Sequence, residues 1–137
     1  MKNILITGGA GYIGSHVTEI LIKKNKKTFI ADNLSTGFKK LINKQAKFFK
    51  VDILNSNKIK KIIIENNIDS VMHLAAVLSV SESEKKPKKY YKINVSGTKK
   101  LLEAIKNTNV RNIIFSSTCA VYKDGLLNVD EKSKLSP

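Results

Sequence analysis

The stretch Thr7-Gly8-Gly9-Ala10-Gly11-Tyr12-Ile13-Gly14 decides the fold. The apolar run Ile4-Leu5-Ile6 leads into it, and a helical pattern of Ser15, Val17, Ile20, Leu21 and Ile22 leaves it. Strand, glycine turn and helix form the setting that a dinucleotide-phosphate loop requires. Gly8, Gly11 and Gly14 keep the spacing G-x-x-G-x-x-G, which permits a tight turn, close backbone approach to a pyrophosphate and close helix–strand packing. The helix that follows presents free amides and a partial positive charge to that pyrophosphate. A Walker-type loop is excluded, because no Gly-Lys-Ser/Thr follows the glycines.

Working outward, a lysine-rich turn (Lys23 to Lys27) leads into Thr28-Phe29-Ile30-Ala31-Asp32. Asp32 thus ends a second apolar run, roughly 20 residues past the loop, where a carboxylate accepts from a ribose hydroxyl. A bare carboxylate there repels a 2′-phosphate and favours NAD over NADP. The polar turn Asn33-Leu34-Ser35-Thr36-Gly37 suits the adenosine ribose, and a weak helical piece follows at Phe38 to Asn43. Lys47 to Val51 reads as a third strand ending at Asp52-Ile53. A helix capped by Asn55 or Ser56 comes next, with Ile59, Ile62 and Ile63 at helical spacing. Ser70 to Ala76 reads as a fourth strand, nearly all apolar and so buried on both faces. Val77 to Lys86 reads as a loop, and Pro87 opens a long helix that ends near Asn107 to Asn109. Arg111 to Ser116 is the fifth strand; Lys123 to Pro137 has no periodicity. Alternating strands and helices predict an α/β fold of the Rossmann type. The expected doubly wound parallel sheet has order 3-2-1-4-5, with a ligand crevice between strands 1 and 4.

The 137 residues predict one domain, and 42% hydrophobic with 26% charged content suits a globular chain. No apolar run approaches a membrane span and no signal peptide is visible. The single Cys119 cannot form an internal disulfide, so a cytoplasmic setting is expected. The net charge of +14 raises nucleic acid as a partner. Against it, only Arg111 among the 25 basic residues is an arginine, and no aromatic residues interleave the scattered lysine pairs as a stacking platform. Excess Lys, Ile and Asn is what an AT-rich coding sequence produces. Neither nucleic acid nor membrane is expected as a partner, and no Cys/His cluster suggests a metal.

The strings TGGAGYIGSH (7–16), DNLSTG (32–37), VDI (51–53), HLAA (73–76), YYKINVSGT (90–98) and FSSTCAVY (115–122) fall in one order along the whole chain. Together they resemble the extended short-chain dehydrogenase/reductase family, and most of all its UDP-glucose 4-epimerase branch. Related dehydratases usually carry Thr-Asp-Glu near position 118, where this chain has Thr118-Cys119-Ala120. The resemblance implies that Tyr12 and Ile13 donate loop amides to NAD, that Asp32 to Gly37 hold its adenosine end, and that Asp52 and Ile53 frame adenine. Leu74, Ala75, Ala76, Val77 and Leu78 would line the cofactor, and Asn94 would reach it from the long helix. Thr118 matches the active-site Ser/Thr that hydrogen-bonds the sugar 4-oxygen. Asp52 as a strand end, Asn94 as a helix polar group paired with backbone, and Thr118 as a strand-end hydroxyl stay open as plainer readings. His16 and His73 read as structural.

The implied chemistry is reversible oxidation at C4 of a UDP-hexose through a 4-keto sugar, interconverting UDP-glucose and UDP-galactose, with a homodimer built partly on the long helix. The family's Tyr-x-x-x-Lys pair is absent: Tyr90, Tyr91 and Tyr122 are followed four residues on by Asn94, Val95 and Leu126. The general base alone is worth about 10²–10⁴ in rate, so this 137-residue chain is expected to be an incomplete NAD-binding domain without epimerase activity. The C-terminal substrate domain is absent from it, and a bare, aggregation-prone fifth strand and marginal folding are expected. Leu78 stands where these enzymes often have a lysine, and Lys123 replaces a usual glycine. Another nucleotide-sugar epimerase or dehydratase, and a non-catalytic NAD-binding module, are the alternatives.

Overall fold

A computed structural model describes residues 1–122, 125 and 128–136. Five parallel strands form one sheet: β1 (Asn3–Thr7), β2 (Lys27–Asp32), β3 (Lys47–Lys50), β4 (Ser70–His73) and β5 (Asn112–Phe115), in the order β3-β2-β1-β4-β5. This is the order the sequence predicts. It brings the carboxyl ends of β1 and β4 together, where Thr7 lies opposite His73. Lys123 and Pro137 lie outside the described residues.

Side chains alternate along a strand, so β1 serves two faces. Leu5 joins Phe29, Ala31 and Val71 under α2 (Ser56–Glu65) and under α5 (Gly97–Ile105). Helix α2 buries Ile59, Ile62 and Ile63, and α5 buries Leu101 and Ala104. Each of these isoleucine and leucine side chains contributes about 1.5–3 kcal/mol on burial. Ile4 and Ile6, with Ile30, are buried on the other face, where α1 (Tyr12–Lys23) packs. Asn55 settles the start of α2: its side chain accepts from Lys58 N at 3.0 Å.

Two expectations need correction. The fourth strand stops at His73 rather than Ala76. Leu74 to Ala76 are apolar because they line a crevice, not because they lie in a sheet. The segment read as a loop holds a helix, α3 (Val80–Lys85), whose cap Ser79 accepts from Glu82 N. Ser79-x-x-Glu82 is the Ser-x-x-Glu pattern of a helix start, so the signal was present in the sequence. The long helix runs through α4 (Pro87–Tyr90), a π-helical segment (Tyr91–Ser96) and α5, ending at Ile105, a little before the expected end. β5 is exposed along its whole length at the sheet edge, with Ile113, Ile114 and Phe115 open to solvent.

Candidate cofactor site

The carboxyl ends of the strands frame a crevice of about 350 Å³. Its floor is the glycine turn. Gly8 has φ +74°, and a Cβ there would stand 2.8 Å from Ala75 N, so only glycine lets the turn lie against the segment after β4. A Cβ on Gly14 would collide with Gly8 O, which fixes α1 tightly over the turn. Gly11 N donates to Gly8 O at 3.1 Å and Ser15 N to Gly11 O at 3.0 Å. Between them, the N–H groups of Tyr12, Ile13 and Gly14 have no partner among the described residues. The N-cap is Gly11, which offers no side chain to them, and no acidic residue occupies the first turn. Three unsatisfied amides at the positive end of a 12-residue helix therefore face the crevice, an arrangement that suits an anion.

One wall comes from β2 and β3. Asp32 is buried, and its two carboxylate oxygens accept from Ala10 N (3.0 Å) and Leu34 N (2.8 Å). It thus ties the glycine turn to the turn after β2. Each oxygen keeps a further acceptor site, so the carboxylate can still receive a ribose hydroxyl. Asn33 Nδ2 donates to Asp52 Oδ2 at 2.8 Å, joining the ends of β2 and β3. Ser35 N donates to Asn33 Oδ1, and Phe38 N to Ala10 O. Val51, Ile53 and Ile59 close this side with apolar surface, which matches the flat, weakly polar face of a base.

The opposite wall is Leu74 to Leu78. Asn94, on the π-helical segment, grips Val77 twice: its Oδ1 accepts from Val77 N at 2.9 Å and its Nδ2 donates to Val77 O at 3.0 Å. The paired reading of Asn94 is therefore the observed geometry. His73 is buried, with Nδ1 2.8 Å from Thr7 Oγ1 and Nε2 3.0 Å from Thr98 Oγ1. Burial holds its pKa below the ordinary imidazole value. His16 Nδ1 donates to Tyr12 O at 2.8 Å on the surface of α1.

Of the residues singled out from sequence, the crevice gathers Gly8, Gly11, Tyr12, Ile13, Gly14, Asp32, Asn33, Ser35, Thr36, Gly37, Asp52, Ile53 and Leu74 to Leu78. Leu34, at φ +61°, lies just outside and offers its amide to Asp32. Asn94 stands behind the wall. Thr118 sits past β5, exposed and not among the residues lining the crevice, and its Oγ1 accepts from Ala120 N at 3.2 Å as the cap of a short helical turn. Thr7, Ala31, Val51, Ile59 and Ile93 also line the crevice and were missed as site residues. Sequence reading names them only as parts of strands, helices or motif strings; it is the sheet order that brings them to the crevice. Among the described residues, no group of three His, Cys, Asp or Glu side chains is placed to hold a metal.

Residues 4–137 match the NAD dependent epimerase/dehydratase family. The chain is 42% identical to a UDP-glucose 4-epimerase of Lactobacillus helveticus over 137 residues, covering 98% of this chain and 41% of that protein. It superposes on a UDP-glucose 4-epimerase from Brucella ovis in complex with NAD with a TM-score of 0.90 at 37% identity, over 100% of this chain and 42% of that one. Against the Bifidobacterium longum enzyme in complex with NAD+ and UDP the TM-score is 0.89 at 32% identity, over 98% and 43% of the two chains. The chain thus spans about two-fifths of the length of the curated relatives it matches. A glycine turn with free helix amides, the strand order and a family match across nearly every residue lead to one conclusion: the chain belongs to the NAD dependent epimerase/dehydratase family.

Proposed function

We propose that residues 1–137 form the NAD-binding unit of an enzyme that epimerises a UDP-hexose at C4, interconverting UDP-glucose and UDP-galactose. One observation carries the cofactor part of this reading: the uncapped amides of Tyr12, Ile13 and Gly14 open onto the crevice beside Asp32. In this reading those amides hold the pyrophosphate, and Asp32 accepts from the adenosine ribose while Asn33 to Gly37 close over it. Asp52 and Ile53 flank the base, and Leu74 to Leu78 line the far half of the crevice. Leu78 brings no charge to the phosphates, so helix dipole and backbone do that work. Bound NAD supplies a hydride acceptor and donor for the sugar C4. The substrate part is supported by the relatives' names.

Thr118 is the proposed partner of the sugar 4-oxygen: its Oγ1 accepts from Ala120 N, which leaves the hydroxyl hydrogen free to donate. A homodimer is part of the proposal, and the exposed Tyr91, Val95 and Leu102 on the long helix support it. No helix among the described residues is long and apolar enough to cross a membrane. A cytoplasmic setting is proposed, consistent with the exposed free Cys119.

The test is an NAD titration of the 137-residue polypeptide with Asp32→Ala as control, beside an assay of UDP-glucose and UDP-galactose interconversion. Saturable NAD binding, weakened in the variant, is the expected outcome. No turnover is expected from a sequence without Tyr-x-x-x-Lys. Equal NAD affinity in both proteins overturns the role of Asp32.

A further inference from the structure

The hydrogen-bonding around His73 fixes which of its nitrogens carries the proton. Thr98 has a single hydroxyl hydrogen, and it is directed to Asn94 O at 2.6 Å. Towards His73 Nε2, 3.0 Å away, Thr98 Oγ1 therefore acts as acceptor, and Nε2 must carry a hydrogen. In the neutral ring Nδ1 is then bare and accepts the Thr7 hydroxyl at 2.8 Å. The result is a directed chain: Thr7 to His73, His73 to Thr98, Thr98 to Asn94, with the Asn94 side chain then clamping the Val77 backbone at both its N–H and its C=O. It begins on the strand that feeds the glycine turn and ends on the opposite wall of the crevice, which touches that turn where Gly8 meets Ala75.

We propose that His73 is a positioning residue for the cofactor: its neutral, Nε2-protonated ring couples Thr7 through Thr98 and Asn94 to Val77, holding that wall in register with the glycine turn. The inference rests on the proposed binding of NAD to this crevice. Protonation at Nδ1 would reverse the bond to Thr7 and place a charge where nothing meets it. The elements around the ring present Thr7 (β1), Phe115 (β5, ring centroids 5.6 Å apart) and Thr98 with Asn94 (the long helix). No charged or other titratable side chain faces it from any of them among the described residues. Burial accordingly depresses its pKa with no charge contributing.

The experiment is an NAD titration of the 137-residue protein from pH 7.5 down through the protonation of His73, which ¹⁵N spectra of the imidazole report, for wild type, Thr98→Val and Thr98→Ser. Wild type should show the Nε2–H tautomer and lose about three- to tenfold in NAD affinity as His73 takes up its proton. Thr98→Val should bind about tenfold more weakly at pH 7.5, with a flattened pH profile, and Thr98→Ser should restore both. A merely structural His73 would let Thr98→Val lower the melting temperature while affinity and pH profile stayed as in wild type. That result, or an Nδ1–H tautomer, overturns the inference. Should Thr98→Val fail to fold, the wild-type spectrum and pH profile still decide. Absent NAD binding by wild type at pH 7.5 removes the dinucleotide reading as well; pH-independent binding removes only this one.

Discussion

The two ends of the sheet use similar residues to opposite ends. At the amino-terminal end Asp69 accepts from Lys2 N (2.7 Å), Asn3 N (3.0 Å) and Ser70 Oγ (2.6 Å). Asn3 Nδ2 reaches Asn66 O and Asn67 O, and Arg111 N donates to Asp69 O. Donors and acceptors there pair with one another, and the end is closed. At the carboxyl end Asp32, Asn33 and Asp52 also tie loops together, yet the amides at the start of α1 find no partner among the described residues. An acidic or amide side chain at a strand end is thus no sign of a site. The sign is donors that the chain itself leaves open. Substitutions should separate accordingly: at the closed end they change stability alone, at the open end ligand affinity as well.

The largest effect is expected from Gly14→Val. Its side chain would have to displace Gly8 O and the Gly9 Cα, both backbone, so α1 must lift from the turn. A loss of about 3 kcal/mol or more in stability is expected, with no measurable NAD binding, read by thermal melting and isothermal titration. Asp69→Ala should come next. Three donors lose their acceptor at once, costing about 2 kcal/mol, while NAD affinity stays within about twofold of wild type. A tenfold change in affinity there would break the separation between the two ends. Asp32→Asn keeps the volume but turns one acceptor oxygen into a donor facing Ala10 N or Leu34 N. About tenfold weaker NAD binding is expected, with NADP gaining relative to NAD. An unchanged preference between the two cofactors would remove Asp32 from the ribose.

How much of this could be read from the sequence follows the same division. The glycine turn and the buried strands are local patterns, and they were enough to order the sheet and to place Asp32 beside Gly8. Leu74-Ala75-Ala76 misled because an apolar crevice wall and a buried strand have the same composition; only the hydrogen-bond ladder, which stops at His73, tells them apart. The helix Val80–Lys85 lies on the surface with no buried residue, so it lacks the apolar period on which helix recognition depends and shows only its cap. The contacts Thr7–His73 and His73–Thr98 span 66 and 25 residues. No window along the chain contains both partners. His73 therefore looked inert in sequence for the same reason that its polar partners were invisible there.

Acid should pull the two ends apart in sequence, the open one first. His73 has its pKa depressed by burial below the ordinary 6.5. The unfolded chain then binds the proton more readily than the folded one. Its contribution is complete above about pH 6.5 and declines as pH falls from there towards the folded value. Asp69 behaves as a stabilised carboxylate. Burial works to raise its pKa, but the hydrogen bonds from Ser70, Asn3 and Lys2 outweigh it and hold the value below 3.8. Its contribution is present above that figure and disappears only as pH falls through the lower, folded value. Melting temperature against pH should therefore fall in two steps. His73→Gln should remove the step just below pH 6.5, and Asp69→Asn the step below pH 4. A single step, or an upper step that survives in His73→Gln, would show that the buried ring is not what couples the crevice to acid.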